Sequence, residues 1–157
     1  MELNVDVFHN FFPGNALVTA GNLEDYNTMT IGWGALGSIW GKDAVTIYVR
    51  DSRYTLEYLR KCDYFTIDFF EGEHKKDLAI LGSKSGRDGD KVALTSLTPE
   101  ACDHGVRFKE AKYTLVCKKM YEQKMDLSAM PEEIQNSSYK DGDIHNMFIG
   151  EVVGILK

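Results

Sequence analysis

Short runs of β-branched and aromatic residues, each cut off by Gly, Asn or Asp, constrain this chain more than any other feature. Ala44 to Val49 is the clearest of them. Ala16 to Ala20 (ended by Gly21-Asn22), Thr28 to Trp33, Ala35 to Trp40, Tyr64 to Phe70 and Tyr113 to Tyr121 read the same way. His145 to Leu156 reads as a last strand, interrupted by Gly150 and Gly154. Helical stretches are short insertions. Ser52 reads as the N-cap of a helix from about Arg53 to Lys61, with Thr55, Leu59 and Cys62 spaced as its buried stripe. Glu73 to Lys84 reads as a second helix with Leu78 and Leu81 inward, and Thr98-Pro99-Glu100 as the start of a third. Gly82 to Asp90 reads as a loop, and Met125 to Asp143 as polar and irregular. This is not the steady strand–helix alternation of a doubly wound sheet. A mainly β, closed or nearly closed antiparallel barrel with helical insertions fits it.

At 157 residues the chain is expected to form one domain, residues 1–157, large enough to bury a core without disulfides. Lys+Arg 18 against Asp+Glu 24 gives a net charge of -6, which argues against non-specific nucleic-acid binding and against docking on an anionic membrane. An anion must then be captured by a local cluster working against the global field. Cys62, Cys102 and Cys117 are too few and too widely spaced for a disulfide framework or a Cys-x-x-Cys motif. His9, His74 and His104 lack metal-ligand spacing, so no metal is expected. No Ser or Cys nucleophile signature is present. The start of the chain shows no signal peptide and no apolar run spans a membrane, so the reading is cytoplasmic.

Two segments carry the chemistry. Asn27-Thr28-Met29-Thr30-Ile31-Gly32-Trp33-Gly34 offers small residues, backbone polar groups and one large aromatic on an extended stretch. Taken alone, it is a turn Asn followed by a half-buried strand. Arg50-Asp51-Ser52-Arg53-Tyr54-Thr55 gathers two arginines, a serine and a threonine at the start of the first helix. Taken alone, it is a helix cap with solvated charges. Read as a site, it presents guanidinium groups for bidentate phosphate contact, hydroxyl donors, and the anion-favouring end of a helix. Together the segments suit a flat aromatic ring joined to a phosphate. Gly32 to Gly37 also matches Gly-x-Gly-x-x-Gly, but a Gly stands where the following helix should run, and Trp33 crowds the turn. A dinucleotide fingerprint is therefore rejected. The stretch from Ser83 to Lys91 lacks both the P-loop and the calcium-loop order and reads as a surface loop on composition.

The pairing of Asn-x-Met-Thr before a Trp with Arg-x-Ser-x-Tyr-Thr after the next strand resembles the flavin reductase-like family (flavoredoxin-like proteins included), whose members bind FMN in a Greek-key split β-barrel. Ser85-Gly86 to Asp90-Lys91 is similar to that family's Ser-Gly-x-x-x-Asp-Lys stretch, and His145 stands before a Gly-Glu-Val pattern at Gly150. The resemblance spans roughly Asn15 to Val153. It implies a homodimer with non-covalent FMN at the interface. FMN would be held by Asn27, Met29, Thr30, Ile31, Gly32 and Trp33, by Arg50, Ser52, Arg53, Tyr54 and Thr55, and by Ser83, Ser85 and Lys91. The backbone of the first segment would hydrogen-bond the polar edge of the ring. His145 would help seat a nicotinamide. The implied activity is an NAD(P)H-dependent oxidoreductase passing electrons through FMN to a small acceptor. Two departures bear on the substrate side: Gly41-Lys42-Asp43 replaces a common Pro-Pro step, and Gly32 replaces a Ser. Two other readings stay open. One is an electron carrier taking electrons from a redox protein. The other is a non-catalytic flavin or haem module, for which His145 would be the axial ligand.

Overall fold

The computed structural model describes residues 1–13 and 15–157. Among the described residues nine strands form: β1 (Ala16–Asn22), β2 (Asp25–Ile31), β3 (Gly34–Ile39), β4 (Lys42–Arg50), β5 (Tyr64–Phe69), β6 (Pro99–Cys102), β7 (Gly105–Phe108), β8 (Tyr113–Lys124) and β9 (His145–Leu156). Short α-helices join them: α1 (Thr55–Lys61), α2 (Lys75–Ser83) and α3 (Glu132–Ser138). Seven strands pair antiparallel in the order β2-β1-β5-β8-β9-β4-β3, and β6 with β7 makes a separate hairpin. The sheet curls until β2 comes against β4. This is the mainly β antiparallel barrel with helical insertions expected from the pattern of strands, and it agrees with the split barrel that the resemblance implied. Among the described residues, no helix is long and apolar enough to cross a membrane.

Alternation along the strands fills the barrel. Val45, Ile47 and Val49 of β4, Phe65, Ile67 and Phe69 of β5, and Phe148 of β9 point into one buried cluster. β1 is buried on both faces, because its outer side is covered as well. There Leu17 packs with Leu78 and Leu81 of α2 and with Phe108 of the β6–β7 hairpin.

Several sequence expectations need correction. Thr98-Pro99-Glu100 does not start a helix: Pro99 opens strand β6, and β7, which the sequence reading missed, folds back on it through His104 in a left-handed conformation at φ 64°. Proline is tolerated there because β6 is an edge strand whose N–H need not enter a ladder. Burial of Val106 and Phe108 holds the hairpin down. Ser52 is not an N-cap. The first helix begins at Thr55, and the Ser52 hydroxyl instead donates to the Asp143 carboxylate at 2.5 Å. Cys62 lies just past that helix and is half-buried; Leu56 completes the stripe with Thr55 and Leu59. Met125 to Asp143 contains α3, entered from Pro131. The second helix occupies Lys75–Ser83, with Leu78 and Leu81 inward as expected.

β9 is continuous rather than interrupted. A Cβ on Gly150 would lie 2.6 Å from the Phe65 ring, so the glycine makes room for that ring in the barrel.

Candidate functional site

Two cavities line one side of the barrel, and both have Met29 and Arg53 in their walls. The smaller, about 110 Å³, is polar and bounded by Asn27, Ser52, Arg53, Tyr54, Thr55, Ser83, Lys84, Ser85, Gly86 and Lys91. The larger, about 230 Å³, is bounded by Thr30, Ile31, Gly32, Trp33, Tyr48, Arg50, Gly82 and His145. The fold thus brings the three separate motifs of the sequence together, and every residue singled out from sequence lines one cavity or the other.

The floor is β2. It is an edge strand, paired only with β1, so alternate backbone N–H and C=O groups face away from the ladder. The Thr30 hydroxyl donates to the Leu78 carbonyl at 2.6 Å, which pins α2 over the strand. Gly82 sits at that crossing, where a Cβ would approach Thr30 to 3.2 Å. Asn27 donates through Nδ2 to the Thr55 hydroxyl at 2.7 Å, fixing β2 to the start of α1. The Thr55 proton then points away from Asn27. Gly86 closes over the same Asn27, and no side chain fits there, since its Cβ would lie 2.1 Å from Asn27 Oδ1.

Two cations dominate the polar cavity. Arg53 donates from Nη2 to the Gly82 carbonyl at 2.9 Å. Lys91 is 6% exposed and donates from Nζ to the Leu81 and Lys84 carbonyls at 2.9 and 3.0 Å. Neither forms an ion pair among the described residues. Burial holds the Arg53 guanidinium below its ordinary value. Burial, and then the nearby Arg53 charge, push the Lys91 ammonium down to about 8. Two partly or fully desolvated cations on one small cavity supply the donor chemistry that an anion would need. The helix end adds little, because α1 has only seven residues.

Arg50 and Ser52 are placed differently from Arg53. Arg50 donates to the Asp143 and Ser138 carbonyls at 2.5 and 3.1 Å, and lies over the Tyr139 ring. It anchors the segment after α3 and reaches only the larger cavity. Ser52 gives both its N–H and its hydroxyl to Asp143. Ser85 accepts from the Arg87 N–H at 3.2 Å, which sets the turn of its loop.

The far wall of the larger cavity is aromatic. Trp33 packs on His145 with ring centroids 4.6 Å apart. His145 Nδ1 and the Tyr139 hydroxyl are hydrogen-bonded at 2.9 Å. Burial first, and Arg50 second, push His145 down to about 4, so its imidazole is neutral at pH 7. Tyr48, Gly82 and Lys84 were missed from sequence, and Gly86 was named there only within a motif and not as a site residue. Tyr48 was legible in the alternation of β4, which puts it on the face opposite Val45, Ile47 and Val49. Gly86 was signalled only as the second residue of the Ser85-Gly86 motif, and Gly82 and Lys84 carried no local signal, because their role depends on where α2 and its following loop come to rest.

A sequence profile of the family described as flavin reductase like domain matches residues 8–156. The chain belongs to the flavin reductase-like domain family. The fold of this flavin reductase-like domain is similar to that of solved proteins. Flavoredoxin from Methanosarcina acetivorans aligns with a TM-score of 0.69 at 19% identity, over 99% of this chain and 76% of that one. An FMN-binding protein from Thermus thermophilus aligns at 0.73 and 21%, over 100% of this chain and 78% of that one. The NADH:FAD oxidoreductase SgcE6 from Streptomyces globisporus aligns at 0.69 and 19%, over 92% and 74%. At these identities the likeness is one of fold. No curated protein matches the chain.

Proposed function

We propose that this flavin reductase-like domain binds FMN non-covalently and acts as an NAD(P)H-dependent oxidoreductase delivering electrons to a small acceptor. The observation that carries the reading is the pair of half-buried Arg53 and buried Lys91, two cations without a carboxylate ion pair among the described residues, on a cavity that continues into an aromatic-walled slot. A phosphate monoester carries close to two negative charges at pH 7 and matches them. The groove on the other side of Lys91, about 450 Å³, carries Glu24, Asp25 and Asp90. The second phosphate of a dinucleotide would meet those carboxylates, so the mononucleotide is the better fit.

In this reading Arg53 and Lys91 neutralise the phosphate, and Thr55 donates its free proton to it. The outward backbone groups of β2 pair with the ring's polar edge, and Met29 and Trp33 supply apolar surface. Bound FMN would supply the redox chemistry between nicotinamide and acceptor. His145 stays neutral, so it can seat a carboxamide by hydrogen bonding without adding charge. The exposed edge strand β3 and Trp40, which is 56% exposed, support a homodimer with the site near the interface. The net charge of -6 favours a second reading, a carrier that docks on a redox protein.

A visible spectrum of the purified protein with FMN, followed by NADH under argon, tests both. Bound flavin that bleaches with NADH is the expected result. Bleaching only by dithionite selects the carrier, and no bound flavin sinks the proposal.

The pH dependence is a separate check. Binding a phosphate raises the Lys91 pKa above its free-protein value of about 8. Protonated Lys91 is the binding form, so this contribution is complete below pH 8 and is lost as pH rises above it. FMN affinity, read by quenching of flavin fluorescence, should fall by up to about tenfold per pH unit above that point. Lys91→Met should bind more weakly, with this dependence gone.

A further inference from the structure

A third cavity of about 440 Å³ opens behind Trp33 and has Gly32, Trp33 and Tyr48 in common with the aromatic-walled slot. Its other walls come from the segment before β1 (Phe8, Phe11, Phe12), from Met125 and Met130, and from Ile134 and Ser138 of α3 with Tyr139 after it. No Asp, Glu, Lys or Arg lines it, in a chain that is 27% charged. The chamber depends on glycine: a Cβ at Gly34 would lie 2.5 Å from the Phe11 ring, so only a bare backbone lets that ring lie on β3 and form the wall. Part of its polar edge is already engaged, while the Tyr48 and Ser138 hydroxyls and the Trp33 ring N–H remain at the wall as its few polar groups. The Tyr139 hydroxyl is bonded to His145, and the Arg50 guanidinium lies over the Tyr139 ring and donates to backbone carbonyls. The lining is mainly aromatic carbon, methionine and isoleucine, while Phe8, Phe12 and Ile134 stand 82%, 67% and 44% exposed at its rim.

From this lining we infer that the chamber is the acceptor site, and that the acceptor is an uncharged, planar, conjugated carbonyl compound of the quinone kind. The inference rests on the flavoprotein reading above. The volume lies within the range of about 300–1,000 Å³ usual for small-molecule sites. Aromatic walls favour a flat ring by stacking, and methionines adapt to its edges. A charged acceptor, such as a ferric chelate or a sulfonated dye, would leave water for a chamber with no counter-charge, a cost nothing there offsets. The common wall at Trp33 and Tyr48 puts the acceptor beside the slot rather than at a remote surface. The reaction balances as NAD(P)H + H⁺ + quinone giving NAD(P)⁺ + hydroquinone, with both electrons from the nicotinamide.

The test uses 1,4-naphthoquinone, its 2-sulfonate and the variant Ile134→Glu, whose exposed position on α3 tolerates a charge. First, the flavin-free chain is titrated with each probe while tryptophan emission is followed. Saturable quenching by the neutral quinone is expected, at least tenfold weaker with the sulfonate and with Ile134→Glu. Second, FMN-loaded protein reduced with dithionite is mixed with each probe anaerobically. Reoxidation should saturate with the neutral quinone, and half-saturation should rise at least tenfold in Ile134→Glu while FMN affinity stays unchanged. Equal behaviour of the two probes, or of variant and parent, overturns the inference. So does a change from dimer to monomer in Ile134→Glu without loss of quinone binding, which would assign the face to a second copy. Failure to bind FMN overturns the functional reading instead, and the flavin-free titration still decides the chamber.

Discussion

Arg53→Ala is expected to weaken FMN binding by about 2–5 kcal/mol, roughly 30- to several-thousand-fold in Kd, since it removes one member of a desolvated charge contact and leaves a phosphate facing Lys91 alone. Riboflavin, which lacks the phosphate, provides the internal control. Its affinity should fall far less on Arg53→Ala than that of FMN, because in the proposed mode the ring contacts come mainly from β2 and Trp33, although Arg53 also borders the slot. Arg50→Ala separates the two arginines. Arg50 holds the Ser138 and Asp143 carbonyls and does not line the polar cavity, so its loss should loosen the segment after α3 and spare the phosphate preference. Fluorescence titrations of the two flavins against the three proteins give the result directly. A Kd for FMN unchanged by Arg53→Ala would remove the phosphate from this cavity.

Phe65→Ala is expected to cost about 3–5 kcal/mol of folding stability, measured by chemical denaturation. Phe65 is 1% exposed and fills the barrel beneath Gly150, where there is no side chain to move into the space it leaves. Gly150→Ala alone should also destabilise, because its Cβ would come within 2.6 Å of the ring. The double variant supplies the sharper test. The new methyl group occupies part of the vacated space, so the two costs should not add, and the coupling should favour the pair. Additive losses would show that the barrel relaxes around position 65 instead of holding its shape.

The strands of this protein were legible because their cause is local. Ala44 to Val49 and Tyr113 to Tyr121 are rich in β-branched and aromatic types, the first alternating buried and outward residues and the second opening on a fully buried run, and both became strands close to the boundaries read from sequence. α2 showed itself in the same way, through the spacing of Leu78 and Leu81. The β6–β7 hairpin did not, because its four-residue strands are held by long-range burial of Val106 and Phe108 and not by their own propensity. Ser52 has the composition of a cap, but Asp143, 91 positions away, competes successfully for its hydroxyl.

The site divides along the same line. Sequence by itself determined which side chains were available: an extended Asn27 to Trp33, the cluster from Arg50 to Thr55, and a glycine-rich, charged loop ending at Lys91 in an acidic chain. Only the tertiary structure decided that Arg53 rather than Arg50 faces the polar cavity, that Lys91 loses its water, and that His145 lies against Trp33 as a neutral ring. Those outcomes depend on desolvation and on partners brought from distant elements. Both are properties of where strands and helices pack, and a residue's neighbours in sequence do not set them.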